Sequence, residues 1–131
     1  HIIFEGFVDD ITPIFNSVRL SVAPLRYGAG VKGKINSSMS YGVPVIGTTV
    51  AAEGMGLVHG KDVLIVDEPA EFAAQICRLY DDEQLWYGLS NAGLDNIERC
   101  FSFGVATDQL RKVLAEHPAI SVKEGQEKEQ A

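Results

Sequence analysis

The residues best suited to chemistry lie together at Arg26–Lys34, RYGAGVKGK. Its glycines let a backbone turn tightly and approach a ligand closely. Lys32 and Lys34 carry point charges suited to phosphate oxygens, and Arg26 carries a planar fork suited to bidentate contact. A helix predicted over Ile35–Tyr41 would add the unpaired N–H groups of its first turn and the positive end of its dipole. Those parts make an anion site. The competing reading is a flexible turn with solvated lysines, and loop chemistry alone leaves both open.

Two nucleotide-binding patterns bear on this loop. Gly28 and Gly33 have the Walker A gap and Lys34 follows, but Ile35 stands where a magnesium-binding hydroxyl belongs. Gly28, Gly30 and Gly33 also match G-x-G-x-x-G in letters, without the preceding βαβ context or the ribose-binding acid about 20 residues on.

Other reactive side chains are scattered. Cys77 and Cys100 have no metal-ligand spacing and fall in apolar helical patterns, which predicts buried free thiols. His1, His59 and His117 form no i, i+4 pair, which disfavours zinc, and His59 sits in a glycine-flanked turn expected at the surface. Asp9 and Asp10 read as a solvated helix start, because the Asp and Lys that a phosphoacceptor pocket also needs are not in register. Glu53 suits a cleft or a surface equally. Tyr27 reads as flanking a ligand or packing on a helix, Trp86 and Tyr87 as helix-packing anchors, and Met39 and Tyr41 as core.

The elements that must position the loop follow from periodicity. Strands are predicted at Ile2–Val8, Arg19–Leu25, Val43–Thr48 and Asp62–Asp67, each short, apolar and β-branched. Thr12 is placed as an N-cap with Pro13 opening a short helix. Gly42 is placed as the glycine that stops the helix after the loop. A variable-looking, Gly-rich stretch covers 49–61, and helices are predicted over Pro69–Tyr80, Glu83–Phe101 and Gly104–Glu116, the last with Ser102 as N-cap. Strand and helix alternate too closely for anything but compact βα units, so the fold class is α/β with a parallel, helix-covered sheet.

The 131 residues suit one domain, and 46% hydrophobic with 22% charged residues excludes a disordered or fibrous chain. No apolar run approaches the ~18 residues of a membrane span. A net charge of −7 argues against a nucleic-acid partner. That charge is uneven: residues 1–52 carry a net +1 and the rest −8, so an anion site belongs in the first part. The chain opens at His1 with strand-like residues, which suggests a longer parent polypeptide.

From residue 2 to about 115 the sequence resembles the donor-binding half of a GT-B glycosyltransferase, in the large retaining group known as family 4 or group 1. The residues that carry the resemblance are IIFEGFVDDITPIF, RLSVAPLRYGAGVKGKINSSMSYGVPVIGTTVAAEGM and DVLIVDEPAEFAAQICRLYDD. PLRYGAGVKGK, MSYGVPVIGT and AAEGM are the most specific parts. The resemblance implies a Rossmann-like, parallel-sheet half of a GT-B fold with C-terminal helices. Residues 1–117 would be part of the C-terminal nucleotide-sugar-binding domain, and 118–131 a polar, disordered tail.

The implied activity is retaining transfer of a sugar from a nucleotide-sugar donor to a sugar, lipid or polysaccharide acceptor. The acceptor domain and the catalytic residues would lie upstream of His1, so this part alone would be inactive. Gly28, Gly30, Val31, Lys32, Gly33 and Lys34 would meet the donor diphosphate, Ser37 the ribose, and Phe7 of Gly6–Val8 the base. No metal and no cofactor is implied, since helix dipole and cations neutralise the departing diphosphate. A cytoplasmic, peripherally membrane-associated parent is implied. Two glutamates that the family spaces eight positions apart are here Ala29 and Ser37. Their loss raises an alternative: a non-catalytic, glycosyltransferase-like partner subunit.

Overall fold

The structure, a computed structural model, describes residues 2–116; the tail expected over 118–131 lies outside them. Nine elements follow in order: α1 (Thr12–Ser17), β1 (Ser21–Ala23), α2 (Gly33–Ser40), β2 (Val45–Gly47), α3 (Thr49–Ala52), β3 (Leu64–Ile65), α4 (Pro69–Asp81), α5 (Glu83–Phe101) and α6 (Phe103–Glu116). The three strands form a parallel sheet in the order β1-β2-β3. Val22 pairs with Ile46, and Ile46 with Leu64, so the strands share one direction and their C-terminal ends lie along one edge.

Side-chain alternation splits the core in two. Val45 and Val63 face α2 and α3 with Ile35, Met39, Ala51 and Met55. Ile46 and Leu64 face Leu79 of α4 and Leu89 of α5, with Trp86 and Phe72 packed at the margin. Each fully buried Val, Leu, Ile or Met among these contributes about 1.5–3 kcal/mol. A sheet covered on both faces explains why β2 reads as a continuous apolar run, buried throughout.

Helix ends are set locally. Gly42 has φ +68, its N–H bonds Met39 O at 2.9 Å, and Val43 N–H bonds Ser38 O at 2.9 Å. That is a Schellman motif, and a non-glycine residue there would be strained. Asp82 separates two helices: its N–H bonds Arg78 O at 2.9 Å, and its Oδ1 accepts from Leu85 N at 2.9 Å. Glu68 caps α4 by accepting from Glu71 N at 2.8 Å.

Several expectations are corrected. Ile2–Val8 forms no strand; Ile2, Ile3, Phe4 and Phe7 are largely exposed. The segment has strand-like residues, but an extended backbone needs a neighbouring ladder, and among the described residues β1 pairs with β2 alone. Thr12 is the first helical residue of α1, not its cap; Ile11 holds that place, and Asp10 Oδ1 accepts from Thr12 N at 2.9 Å. Cys77 and Cys100 are free but exposed, because each lies off the buried stripe of its helix. Tyr41 is not core: it is 39% exposed, stacked on Phe15 and hydrogen-bonded to Thr12 Oγ1. Tyr87 is also exposed, whereas Trp86 anchors α5 by donating from Nε1 to Arg19 O at 2.6 Å. The stretch 49–61 contains α3, and His59, exposed as expected, accepts from Ile65 N at Nδ1. Among the described residues no helix is long and apolar enough to cross a membrane.

Candidate functional site

The loop from Pro24 to Lys32 leaves the C-terminal end of β1 and feeds straight into α2. Its root is pinned from the neighbouring strand: Thr48 Oγ1 donates to Leu25 O at 2.6 Å, and Thr48 N–H bonds Ala23 O. Thr48 also caps α3, accepting from Ala51 N at 3.3 Å. Beyond the root, Gly28 (φ +150) and Gly30 (φ +71) take conformations that side-chain-bearing residues rarely adopt.

Lys32 is the N-cap residue of α2, in an extended conformation and offering no side-chain acceptor to the helix. The first-turn N–H groups of Gly33 and Lys34 are therefore left by geometry without an intrahelical partner, at the positive end of the dipole. The structure thus brings Gly28, Gly30, Val31, Lys32, Gly33 and Lys34 together in one turn at the sheet's C-terminal edge. In open α/β sheets, ligands bind at that edge.

The two lysines differ. Lys34 is exposed, whereas Lys32 is only 9% exposed and donates from Nζ to Gly30 O at 2.6 Å. Ser37, one turn into α2, is half-buried. Asn36 beside it has a buried Oδ1 with no hydrogen-bond partner among the described residues. Arg26 is exposed, and Tyr27 is 88% exposed, packing on no helix. Phe7 is 91% exposed and belongs to neither core cluster, so it is not held against the loop by packing.

Sequence reasoning missed the floor beside the loop. A cavity of about 370 Å³ opens among Pro24, Arg26, Thr48, Asp67, Pro69 and Phe72, at the C-terminal ends of the strands. Asp67 organises it by accepting from Thr49 Oγ1 at 2.6 Å and Thr49 N at 2.8 Å, and these bonds hold its carboxyl below the ordinary value. The signal in the sequence was an Asp closing one strand and a Thr pair closing another. Only the pairing of the strands shows that they meet. Glu53 lies on a second cavity, of about 350 Å³, with Thr49, Val50, Ala52, Leu57 and Ile65. Among the described residues no three His, Cys, Asp or Glu side chains gather as a metal site.

Comparison with known proteins gives one family match and relatives of two kinds. The family described as "Glycosyl transferases group 1" matches residues 1–82. The putative glycosyltransferase YtcC of Bacillus subtilis (strain 168) is 27% identical over 118 residues, which is 86% of this chain and 29% of that protein. The large ribosomal subunit protein uL11 of Methanosphaerula palustris is 31% identical over 111 residues, 79% of this chain and 66% of that one.

Solved structures bear on the fold. The C-terminal domain of the group 1 family glycosyl transferase LpcC from Francisella tularensis superposes with a TM-score of 0.64 at 18% identity, over 75% of this chain and 52% of that chain. Sucrose-phosphate synthase from Thermosynechococcus elongatus superposes with a TM-score of 0.70 at 20% identity, over 85% of this chain and 28% of that chain. The chain thus spans less than a third of YtcC and about half of the LpcC domain. With a parallel GT-B-type sheet, and a family match over more than half its length, the chain belongs to the group 1 glycosyl transferases.

Proposed function

We propose that this chain forms the nucleotide-sugar donor site of a retaining glycosyltransferase whose acceptor, a sugar, lipid or polysaccharide, is held elsewhere in the parent protein. One observation carries the reading: an uncapped helix N-terminus, reached through a glycine loop with two lysines, at the C-terminal edge of a parallel sheet. In transfer, the bond from the sugar to the diphosphate breaks and negative charge builds on the departing nucleoside diphosphate. The end of α2 carries about half a positive charge, and fixed N–H donors aimed at developing charge stabilise it without reorganisation. The backbone at Gly30, Val31 and Gly33 takes the phosphate oxygens, Lys32 and Lys34 add charge, Ser37 approaches the ribose, and Phe7 the base. The group that attacks the sugar is supplied from outside this chain, so the chain alone transfers nothing.

Ser37 supports a second reading. A hydroxyl replaces a carboxylate that accepts two ribose hydrogen bonds, and losing charge-assisted bonds of that kind costs about 1.5–3 kcal/mol, or roughly 10- to 150-fold in affinity. A partner subunit that has lost donor chemistry would show the same loss at Ala29 and Ser37.

An amide-resolved NMR titration with UDP, GDP, ADP and inorganic pyrophosphate separates the two. Shifts at Gly28–Lys34 with a preference for one nucleotide are expected for a donor site, and the preferred one identifies the base. No shift with any of the four, up to millimolar concentration, refutes the donor reading and leaves the partner subunit.

A further inference from the structure

We infer that Lys32 latches the ligand-free loop shut, and that a diphosphate is recognised by drawing this one ammonium away from the Gly30 carbonyl. The inference rests on the donor-site reading and specifies how that site is controlled.

Lys32 is 9% exposed, yet its partner among the described residues is the carbonyl of Gly30, two residues back in its own loop, at 2.6 Å. An ammonium offers three donors, and a neutral carbonyl satisfies one of them and none of the charge. Among the described residues no carboxylate pairs with Lys32, and the ion pair found joins Arg111 to Asp108 on α6. A buried cation without a counter-charge is costly, and it is retained in proteins where something supplies that charge. Its stem folds back over the loop: a Cβ added at Gly28 would stand 3.5 Å from Lys32 Cε, so the chain path there leaves room for the lysine.

An anion bearing two or more charges completes this arrangement. It replaces Gly30 O at the ammonium and fills the remaining donors, while the N–H groups of Gly33 and Lys34 take its other oxygens. Charge in a low-dielectric setting is screened far less than charge in water. Lys32 therefore outweighs the exposed Lys34 and Arg26, although the two lysines look alike in the sequence. The exchange also releases Gly30 O, so residues 28–32 rearrange on binding and the ligand-free loop is the closed form. Lys32 is thus both gate and anchor of the same site.

The test titrates the 131-residue chain with pyrophosphate and with UDP, following amide shifts and the Gly30 carbonyl ¹³C shift. Wild type is expected to lose the Gly30 hydrogen bond at saturation, moving that carbonyl upfield. Lys32→Met keeps the stem, starts at the upfield position, and binds about 10- to 150-fold more weakly. Lys34→Met, removing an exposed charge, stays within about five-fold of wild type. Lys32→Arg restores charge and recovers binding above Lys32→Met, and with the wild-type carbonyl shift it decides the matter if Lys32→Met fails to fold.

A Gly30 carbonyl that does not move in a chain that binds overturns the latch and leaves the donor site standing. So does Lys34→Met weakening binding as much as Lys32→Met. A wild-type chain silent to both ligands overturns the donor site, and the latch with it.

Discussion

Helix α5 holds two interior glycines, and the structure assigns them opposite consequences when filled. Replacing Gly by Ala inside a helix recovers about 0.8–1.0 kcal/mol of helix propensity. At Gly88 nothing lies within 4 Å of an added Cβ, so Gly88→Ala should realise that gain in full. At Gly93 the added Cβ would stand 3.2 Å from Met39 Cγ and 3.5 Å from Met39 Cβ. Met39 is 1% exposed and packed among Ile35, Val45 and Val63, so it has little room to give way. Overpacking of this kind costs about 1–3 kcal/mol. Gly93→Ala therefore lands between neutral and about 2 kcal/mol destabilising, and the two variants differ by about 1–3 kcal/mol. At about 4 °C per kcal/mol this separates their midpoints by roughly 4–12 °C. Urea unfolding followed by far-UV circular dichroism gives the difference directly, with equal m-values as the check on two-state behaviour. Equal stabilisation by the two alanines would refute the close approach of α5 to α2. That approach matters to the site, because α2 carries the glycine loop on its N-terminus.

Three further outcomes follow from named contacts. Trp86→Phe leaves Arg19 O without its donor and removes the indole beneath the Arg19 guanidinium, 5.3 Å from the ring centre; urea unfolding should show a loss of about 1–3 kcal/mol. Asp67 is held below its ordinary value of 3.8 by the Thr49 hydroxyl and then by the Thr49 backbone. A depressed folded value gives stability that is complete above the unfolded one and lost as pH falls through the folded one. The gap in urea midpoint between wild type and Asp67→Asn should therefore hold from pH 7 to about 5 and shrink below about 4; a constant gap down to pH 3 would contradict this. Cys77 and Cys100 should both react with a thiol reagent in the native chain, without denaturant, and protection of either one would restore the buried reading.

Most of the fold was legible because its signals are local. Gly42 at the end of α2, the continuous apolar run of β2 and the helix over Glu83–Phe101 each follow from a few adjacent residues, and each stands where periodicity puts it. Misreadings came where a neighbour decides. Ile2–Val8 has the composition of a strand, but composition does not supply a ladder, and the segment forms no strand and stays largely exposed. Cys77 and Cys100 sit among apolar residues, but a helix buries a stripe rather than a neighbourhood, and both fall off it. Thr12 and Asp10 both suit a helix start, and a shift of a residue or two decides which of them holds the first turn.

The site divides in the same way, and the division bears on how its charges should be read. That a glycine loop with two lysines precedes a helix is written in RYGAGVKGK, and the chain's positive end lies there. Which lysine is wet is not written there, because it depends on the path of two glycines. Gly30 at φ +71 turns its carbonyl where Lys32 Nζ can meet it at 2.6 Å, while Lys34, one step into α2, projects into solvent. Equal charges two residues apart are therefore unequal in effect: water screens one, and the loop shelters the other. On the donor-site reading, Ser37 offers a hydroxyl where a carboxylate would accept two ribose hydrogen bonds. On that reading, a sheltered ammonium beside a hydroxyl rather than a carboxylate draws most of the affinity from the diphosphate, so pyrophosphate should compete to within about ten-fold of the preferred nucleotide. Nucleotide affinity exceeding pyrophosphate affinity by a hundred-fold would place the missing ribose contact on some other residue of this chain.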